Sequence, residues 1–328
     1  MPRYVRSEAR RWVRENLRGY FAVLYTPFSP DGEIDETGLR RNVAATLALP
    51  GVRGLSVHSI HQEFWTLTDS ERKRVTEIVI DAVGGVAPVV VGVSDTSART
   101  VVDLARHAQA AGADALMVWP PYYGPRTADG VRAFYDYVAE RVDTGIFAYS
   151  TTRAELGHYL APEQVESLLG IEHLCAVQNT TPDFASYAAM LERVGDRICV
   201  TTSLEETFLS GKLAFADGRA PDFLLGCSRP LWVQNAAQPR CGRFIEAVDR
   251  KDYVAAAAEV RGIVAIAGRL QGRYFARGFH HIALSKALTG LFGMATGGTR
   301  PPLGAPSAEE LAECTEILVA AGLVSPSP

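Results

Sequence analysis

Lysine is the charged residue this 328-residue chain has least of. Only Lys73, Lys212, Lys251 and Lys286 carry a side-chain amine, and arginine supplies the rest of the positive charge. Any chemistry that needs a reactive side-chain amine therefore has four places to be. Cysteine is also sparse: Cys175, Cys199, Cys227, Cys241 and Cys314 are odd in number, scattered and never spaced as CxxC. That excludes a disulfide framework and a paired-cysteine zinc or redox motif. Cys175, Cys199 and Cys227 sit in apolar runs, where a thiol behaves as a small hydrophobe, so reduced core thiols in a cytoplasm are expected. No apolar run approaches the roughly 20 residues of a membrane span. The start, "MPRYVRSEARRWVREN", lacks the apolar stretch of a signal peptide and reads as a short amphipathic helix packed on the outside of the domain, over residues 1–18. A formal net charge of −4 gives no reason to expect a nucleic-acid or membrane partner. No Gly-rich loop follows the first apolar run, which argues against a doubly wound dinucleotide-binding sheet.

What the chain does have is alternation. Apolar runs at 20–26, 54–59, 88–93, 113–119, 145–149, 173–177, 197–201 and 222–227 read as eight strands. Longer segments of helical period lie between them. Asp35 is a plausible N-cap, Thr68 and Glu71 form a capping-box pattern, and Gly112 ends a helix. Eight strand–helix units predict an α/β fold, a (β/α)8 TIM barrel over residues 19–235. The strands are near-continuously apolar, as parallel strands covered on both faces are. Helical patterns at 252–270, 279–294 and 307–322 predict a C-terminal helical region over 236–328.

Barrels of this kind carry their sites at the C-terminal strand ends. The polar residues there are His58, Ser59, His61, Gln62 and Glu63 after strand two, and Ser94 and Asp95 after strand three. Tyr122 and Tyr123 follow strand four, and Tyr149 to Arg153 end strand five. Gln178, Asn179 and Thr180 end strand six; Thr201, Thr202 and Ser203 end strand seven, with Glu205 and Glu206 beyond; Ser228 and Arg229 follow strand eight.

These segments carry a resemblance. "LYTPFSPDGEID" (24–35), "EFWTLTDSERKRV" (63–75), "GVSDTSARTVVDLARHAQAAGADALMVWPPYY" (92–123) and "TRPPLGAP" (299–306) make residues 18–325 similar to the dihydrodipicolinate synthase / N-acetylneuraminate lyase family of pyruvate-type aldolases. The resemblance implies a barrel with a C-terminal helical domain, a homo-oligomer (dimer or tetramer), and a small carboxylate substrate with no cofactor. It also implies Schiff-base chemistry: a lysine ending strand six attacks a 2-oxo acid, and the iminium serves as electron sink. Tyr149 falls on the family's acid/base tyrosine and Tyr123 on its second tyrosine. Glu63 falls on the glutamate that ends a Gly-Thr-Thr-Gly-Glu loop, but here the loop reads Ser59-Ile60-His61-Gln62-Glu63. Gln178 stands where the lysine is expected. An amide is not nucleophilic, though it donates and accepts hydrogen bonds.

Several residues keep two readings. His61 is a candidate acid or base in place of the lost threonines. His58, His61 and Glu63 together are also a possible metal set, or His58 is a core histidine and Glu63 a structural acceptor. The tyrosines after Pro120-Pro121 either serve the site or pack the loop. Arg153 lies near a family arginine that binds a carboxylate, in a loop one residue longer, and is otherwise a surface arginine. Glu205, Glu206 and Arg229 line the mouth or are solvated; His280 and His281 read as packing or interface residues. The expected catalytic residues are Tyr149, Tyr123 and His61, and the expected substrate-binding residues are Gln178, Ser59, Ile60, Glu63, Arg153 and Thr202. The expected activity is that of an aldolase-type or hydro-lyase-type lyase on a 2-oxo acid or related carbonyl compound without a lysine adduct. The alternative is an inactive relative that binds a small acid as sensor or scaffold.

Overall fold

The computed structural model describes residues 3–124, 126–153, 159–272, 274 and 277–325. Strands β1 Gly19–Val23, β2 Val52–Val57, β3 Val89–Gly92, β4 Ala115–Val118, β5 Ile146–Ser150, β6 Leu174–Asn179, β7 Cys199–Thr201 and β8 Phe223–Cys227 form one parallel sheet. Its order is β7-β6-β5-β4-β3-β2-β1-β8. The Leu225 N–H donates to Thr202 O at 3.0 Å, which links β8 to the chain leaving β7 and closes the barrel. Each expected strand is present. Strand β6 runs on through Gln178 and Asn179, so the glutamine belongs to the strand rather than to the loop after it.

Helices α1 Ala9–Asn16, α2 Glu36–Leu47, α3 Asp69–Val83, α4 Ala98–Ala111, α5 Ala128–Ala139, α6 Pro162–Ser167, α7 Phe184–Val194 and α8 Glu205–Ala214 accompany the strands. Their ends obey local chemistry. Asp35 accepts from Gly38 N, Thr68 and Glu71 close a capping box, and Gly112 at φ +108 ends α4. The helix after β8, α9 Arg240–Asp249, seats Phe244 against the rings of Tyr20 and Phe208, each at 6.1 Å between centroids. The barrel's eighth helix therefore lies beyond residue 235. Its N-cap is Pro239, which offers no side-chain cap, and so the sequence carries no start signal there. Beyond it lie α10 Tyr253–Ala267, α11 His280–Thr289 and α12 Ala308–Ala320. No helix among the described residues is long and apolar enough to cross a membrane.

The barrel interior is a packed layer rather than a pore. Phe147, Ala176 and Cys199 are register partners on adjacent strands, and Phe21, Phe223 and Met117 fill the space beside them. Gly54 makes that possible: a Cβ there would sit 2.3 Å from the Phe21 ring. Helix α1 is amphipathic as expected, with Arg11, Glu15 and Asn16 exposed and one apolar face against the barrel. Ala9, Val13 and Leu17 join the interior cluster and cap the N-terminal end of the barrel. Arg10 fastens it, donating to Leu174 O, Leu169 O and Ile171 O at 2.9, 2.7 and 2.6 Å. The N-terminal end being plugged, the open end is the C-terminal one.

Candidate active site

Two residues beyond Phe147 and Ala176 on the same inward face, the register pairs Tyr149 with Gln178. They open onto a cleft at the C-terminal mouth. An inner chamber of about 70 Å³ is lined by Ser59, Ile60, His61, Trp119, Tyr149 and Gln178 among others. An outer chamber of about 360 Å³ is lined by Glu206, Ser228, Arg229, Gln271 and His281 among others. His61, Arg153, Thr180, Ser203 and Gly226 border both, so the two chambers are one continuous cleft.

Gln178 is locked at the junction. Its Nε2 donates to Thr180 Oγ1 and to Leu225 O, both at 3.0 Å. Leu225 O can only accept, which fixes the amide orientation and uses both amide protons. The Oε1 atom, with no partner among the described residues, is what Gln178 offers a ligand. Gln178 is thus an acceptor toward the cleft and not the donor that would polarise a carbonyl. Beside it, the Thr180 oxygen is engaged by Gln178, and the Thr180 hydroxyl lies 3.5 Å from Ser203 Oγ. Gly226 makes room for the arrangement. It holds φ +76, and a Cβ there would lie 3.0 Å from Gln178 Nε2.

The loop after β2 sends its polar side chains three ways. His58 holds a left-handed backbone at φ 55, and its Nε2 contacts Arg72 O at 2.8 Å and Thr76 Oγ1 at 3.0 Å. Burial and the nearby Arg72 hold its pKa down to about 3, so it is a neutral core histidine. Glu63 is wholly buried beneath the loop and does not line the cleft. Its carboxylate accepts from Lys286 Nζ at 2.8 Å and from Arg300 N at 3.1 Å, so the expected substrate-binding role gives way to a structural one. His58 borders the inner chamber, but its ring is turned to Arg72 O and Thr76; His61 borders both chambers. Burial, His281 and Arg153 press its pKa to about 3, and its Nδ1 is buried with no partner among the described residues. The three side chains do not converge, and among the described residues no group of three or more His, Cys, Asp or Glu is gathered as metal ligands.

Tyr149 is buried and stacks on Trp119, with centroids 4.5 Å apart and planes at 12°. Arg153, Ser59 and Ile60 are on the cleft as expected. Two other expected residues are not. Tyr123 is 83% exposed and borders neither chamber of the single chain. Thr202 is fully buried, accepting from Leu204 N at 3.4 Å, because β7 ends one residue earlier and turns this side chain into the wall.

Of the three residues offered for the mouth, Glu206 and Arg229 line the outer chamber, and Glu205 is buried behind them. Arg229 bridges Glu205 at 2.5 Å and Glu206 at 2.6 Å. Burial pushes the Glu205 carboxyl upward against the pull of Arg229. Burial also works against charge on Glu206, but Arg229 holds it below the usual range. His281 and Gln271 come from the C-terminal region, whereas His280 turns away to Glu310 at 3.0 Å. Helical period marked His281 as a packing or interface residue; the docking of α11 on the Ile60–Gln62 turn brings it here.

None of the four lysines lines the cleft. Lys73 pairs with Asp103 at 2.6 Å and Lys212 with Asp222 at 2.5 Å. Lys251 is an exposed turn residue, and Lys286 is committed to Glu63 and Gly298 O.

A plugged (β/α)8 barrel with a polar, aromatic-walled cleft at its C-terminal mouth defines the class. Residues 16–220 match the dihydrodipicolinate synthetase family, and the chain belongs to that family. The 4-hydroxy-tetrahydrodipicolinate synthase of Acidothermus cellulolyticus is 30% identical over 301 residues, 92% of this chain and 91% of that protein. The Methanothrix thermoacetophila protein of the same name is 34% identical over 181 residues, 55% of this chain, and the match spans only 60% of that protein's length. In fold, the structure of dihydrodipicolinate synthase from Aquifex aeolicus matches with a TM-score of 0.80 at 21% identity, over 94% of this chain and 100% of that one.

Proposed function

We propose that the chain is a lyase acting on a 2-oxo acid or a related small carbonyl compound, and that it works without a lysine Schiff base. The observation that carries this reading is the amide of Gln178 at the inward end of β6, opposite Tyr149, in a cleft that no lysine lines. Family membership supports the lyase class and the carboxylate substrate; the homo-oligomer expected of the family is carried forward with it.

The substrate carboxylate is met by Arg153 and the Ser59–Ile60 turn. Its carbonyl oxygen accepts from the Thr180 hydroxyl, which Gln178 polarises from behind. A substrate hydroxyl, or the enol formed in the reaction, donates to Gln178 Oε1. Tyr149 and His61 move protons. Loss of the iminium removes a strong electron sink, so hydration, dehydration or enolisation next to the carbonyl fits this cleft better than cleavage of an unactivated C–C bond.

The test is borohydride reduction in the presence of pyruvate and a panel of 2-oxo acids, read by intact-protein mass spectrometry. The expected result is no adduct on the natural protein and an adduct on Gln178→Lys. An adduct that maps to a natural lysine sinks the reading.

A further inference from the structure

Trp119 deepens the functional reading above and rests on it. It is the first residue after β4 and sits half-buried in the wall of the inner chamber. Its contacts fix it there. The indole lies face to face with Tyr149, with centroids 4.5 Å apart and planes at 12°. Phe64 meets it edge to face at 80°, 5.8 Å between centroids. The Trp119 backbone N–H donates to Ser94 Oγ at 3.0 Å, which ties this strand end to the chain leaving β3. Phe64 is held in turn. The Arg72 guanidinium lies 5.2 Å from the centre of its ring, and Trp65 meets it at 5.6 Å. Trp65 then stacks on Phe279 at 4.8 Å. The indole thus belongs to a continuous aromatic wall running from β5 to the C-terminal region. A close-packed wall of this kind does not swing aside for a ligand without breaking several ring contacts.

The chamber behind this wall is small. Its volume of about 70 Å³ is the space of about two waters at about 30 Å³ each, against about 360 Å³ in the outer chamber. The carbonyl carbon of a 2-oxo acid is planar and carries a carboxylate, an oxygen and C3. On the functional reading the carboxylate goes to Arg153 and the turn after β2, and the oxygen goes to Thr180 after β6. Strands β4 and β5 lie between those two in the barrel order, and they present Trp119 and Tyr149. C3 is therefore left between this aromatic wall and the opening to the outer chamber. One carbon on C3 can continue outward. A second runs into the indole.

We propose that Trp119 determines specificity by excluding a branch at C3, so that the cleft takes 2-oxo acids whose C3 is unbranched and whose remaining chain extends into the outer chamber. The size of the effect follows from the rigidity of the wall. One carbon more than a filled pocket holds changes affinity by about 10–200-fold.

The probes are 2-oxobutyrate and 3-methyl-2-oxobutyrate, which differ by one methyl group on C3, titrated calorimetrically into the full-length protein. The wild type should bind the branched acid at least about 10-fold more weakly. Trp119→Val removes the indole and keeps an apolar surface; it should bring the two Kd values within about twofold by strengthening the branched acid. Trp119→Phe keeps a ring against Tyr149 and should lower the Kd ratio at least about threefold; it decides the matter where Trp119→Val does not fold. The ratio separates a wall from general packing, because loosened packing weakens both ligands and only a removed wall strengthens the larger one. Equal or reversed affinities in the wild type overturn this inference and leave the functional reading standing. A wild-type preference that persists unchanged in the folded variants overturns it as well. A wild-type protein that binds neither acid overturns the functional reading and this inference with it.

Discussion

Replacing Lys286 with methionine should damage the protein more than any surface substitution, although the residue touches no part of the cleft. Lys286 is 1% exposed and Glu63 is fully buried; their contact at 2.8 Å joins α11 to the loop that carries His61. The ammonium also donates to Gly298 O at 2.7 Å and lies 4.3 Å from the centre of the Phe28 ring. Burial lowers the Lys286 pKa, and Glu63 opposes the shift. In Lys286→Met the volume is nearly kept, but the Glu63 carboxylate is left with one donor, Arg300 N at 3.1 Å. An unpaired charge in such a site costs about 3–5 kcal/mol, a large part of the roughly 5–15 kcal/mol that holds a typical domain together. Glu63 also holds a left-handed backbone at φ 56, a conformation that survives only where its surroundings impose it. Urea denaturation followed by circular dichroism should show the loss in its midpoint. Lys286→Met/Glu63→Gln should regain most of it, because a neutral amide keeps the Arg300 bond without a buried charge. A single variant within about 1 kcal/mol of wild type, or a double variant as unstable as the single, refutes the reasoning.

Three further outcomes follow from the same geometry. Gly226→Ala should lose about 1–2 kcal/mol from its left-handed backbone and displace Gln178; adding Gln178→Ala relieves the contact but not the backbone cost, and full recovery refutes the φ argument. Thr180→Val should weaken binding of 2-oxobutyrate about 5–10-fold by calorimetry, the worth of one hydrogen bond, and an unchanged Kd removes Thr180 as the carbonyl donor. Stability should fall as pH falls below 6.5. His58 and His61 have folded pKa values of about 3, so the unfolded chain binds protons that the native one refuses. Below about 4.5 Glu71 and Glu310 add to the loss, each held near 2, by Arg300 and by the Ser307 N–H respectively. A thermal midpoint that is flat from pH 6.5 to 5 contradicts the burial of the two imidazoles.

How much of this was legible in the sequence depended on whether the determining contact was local. The strands could be read because a strand buried on both faces is an apolar run, and the caps at Asp35, Thr68 and Gly112 could be read because a cap is a contact over three or four residues. Alternation fixed Tyr149 and Gln178 to one inward face, since they lie on paired strands at matching register. It failed one residue past a strand end, where Thr202 turns into the wall. It failed at Glu63, whose partners Lys286 and Arg300 lie more than two hundred residues away.

The same distinction separates what Gln178 is from what it does. The sequence shows an amide where an amine is expected, and from that alone a carbonyl-polarising donor is a fair reading. The fold reverses the polarity of the group. The bend of β8 at Gly226 lets the side chain settle against Leu225 O, and Thr180 takes the second proton. An acceptor is left pointing into the cleft, with a hydroxyl donor beside it and two imidazoles at the junction beyond. A bare ketone has nothing to give that acceptor, whereas an enol or a hydroxyl does. On the proposed reading, that polarity favours an enol or a hydroxyl-bearing species at Gln178 Oε1 over a bare ketone.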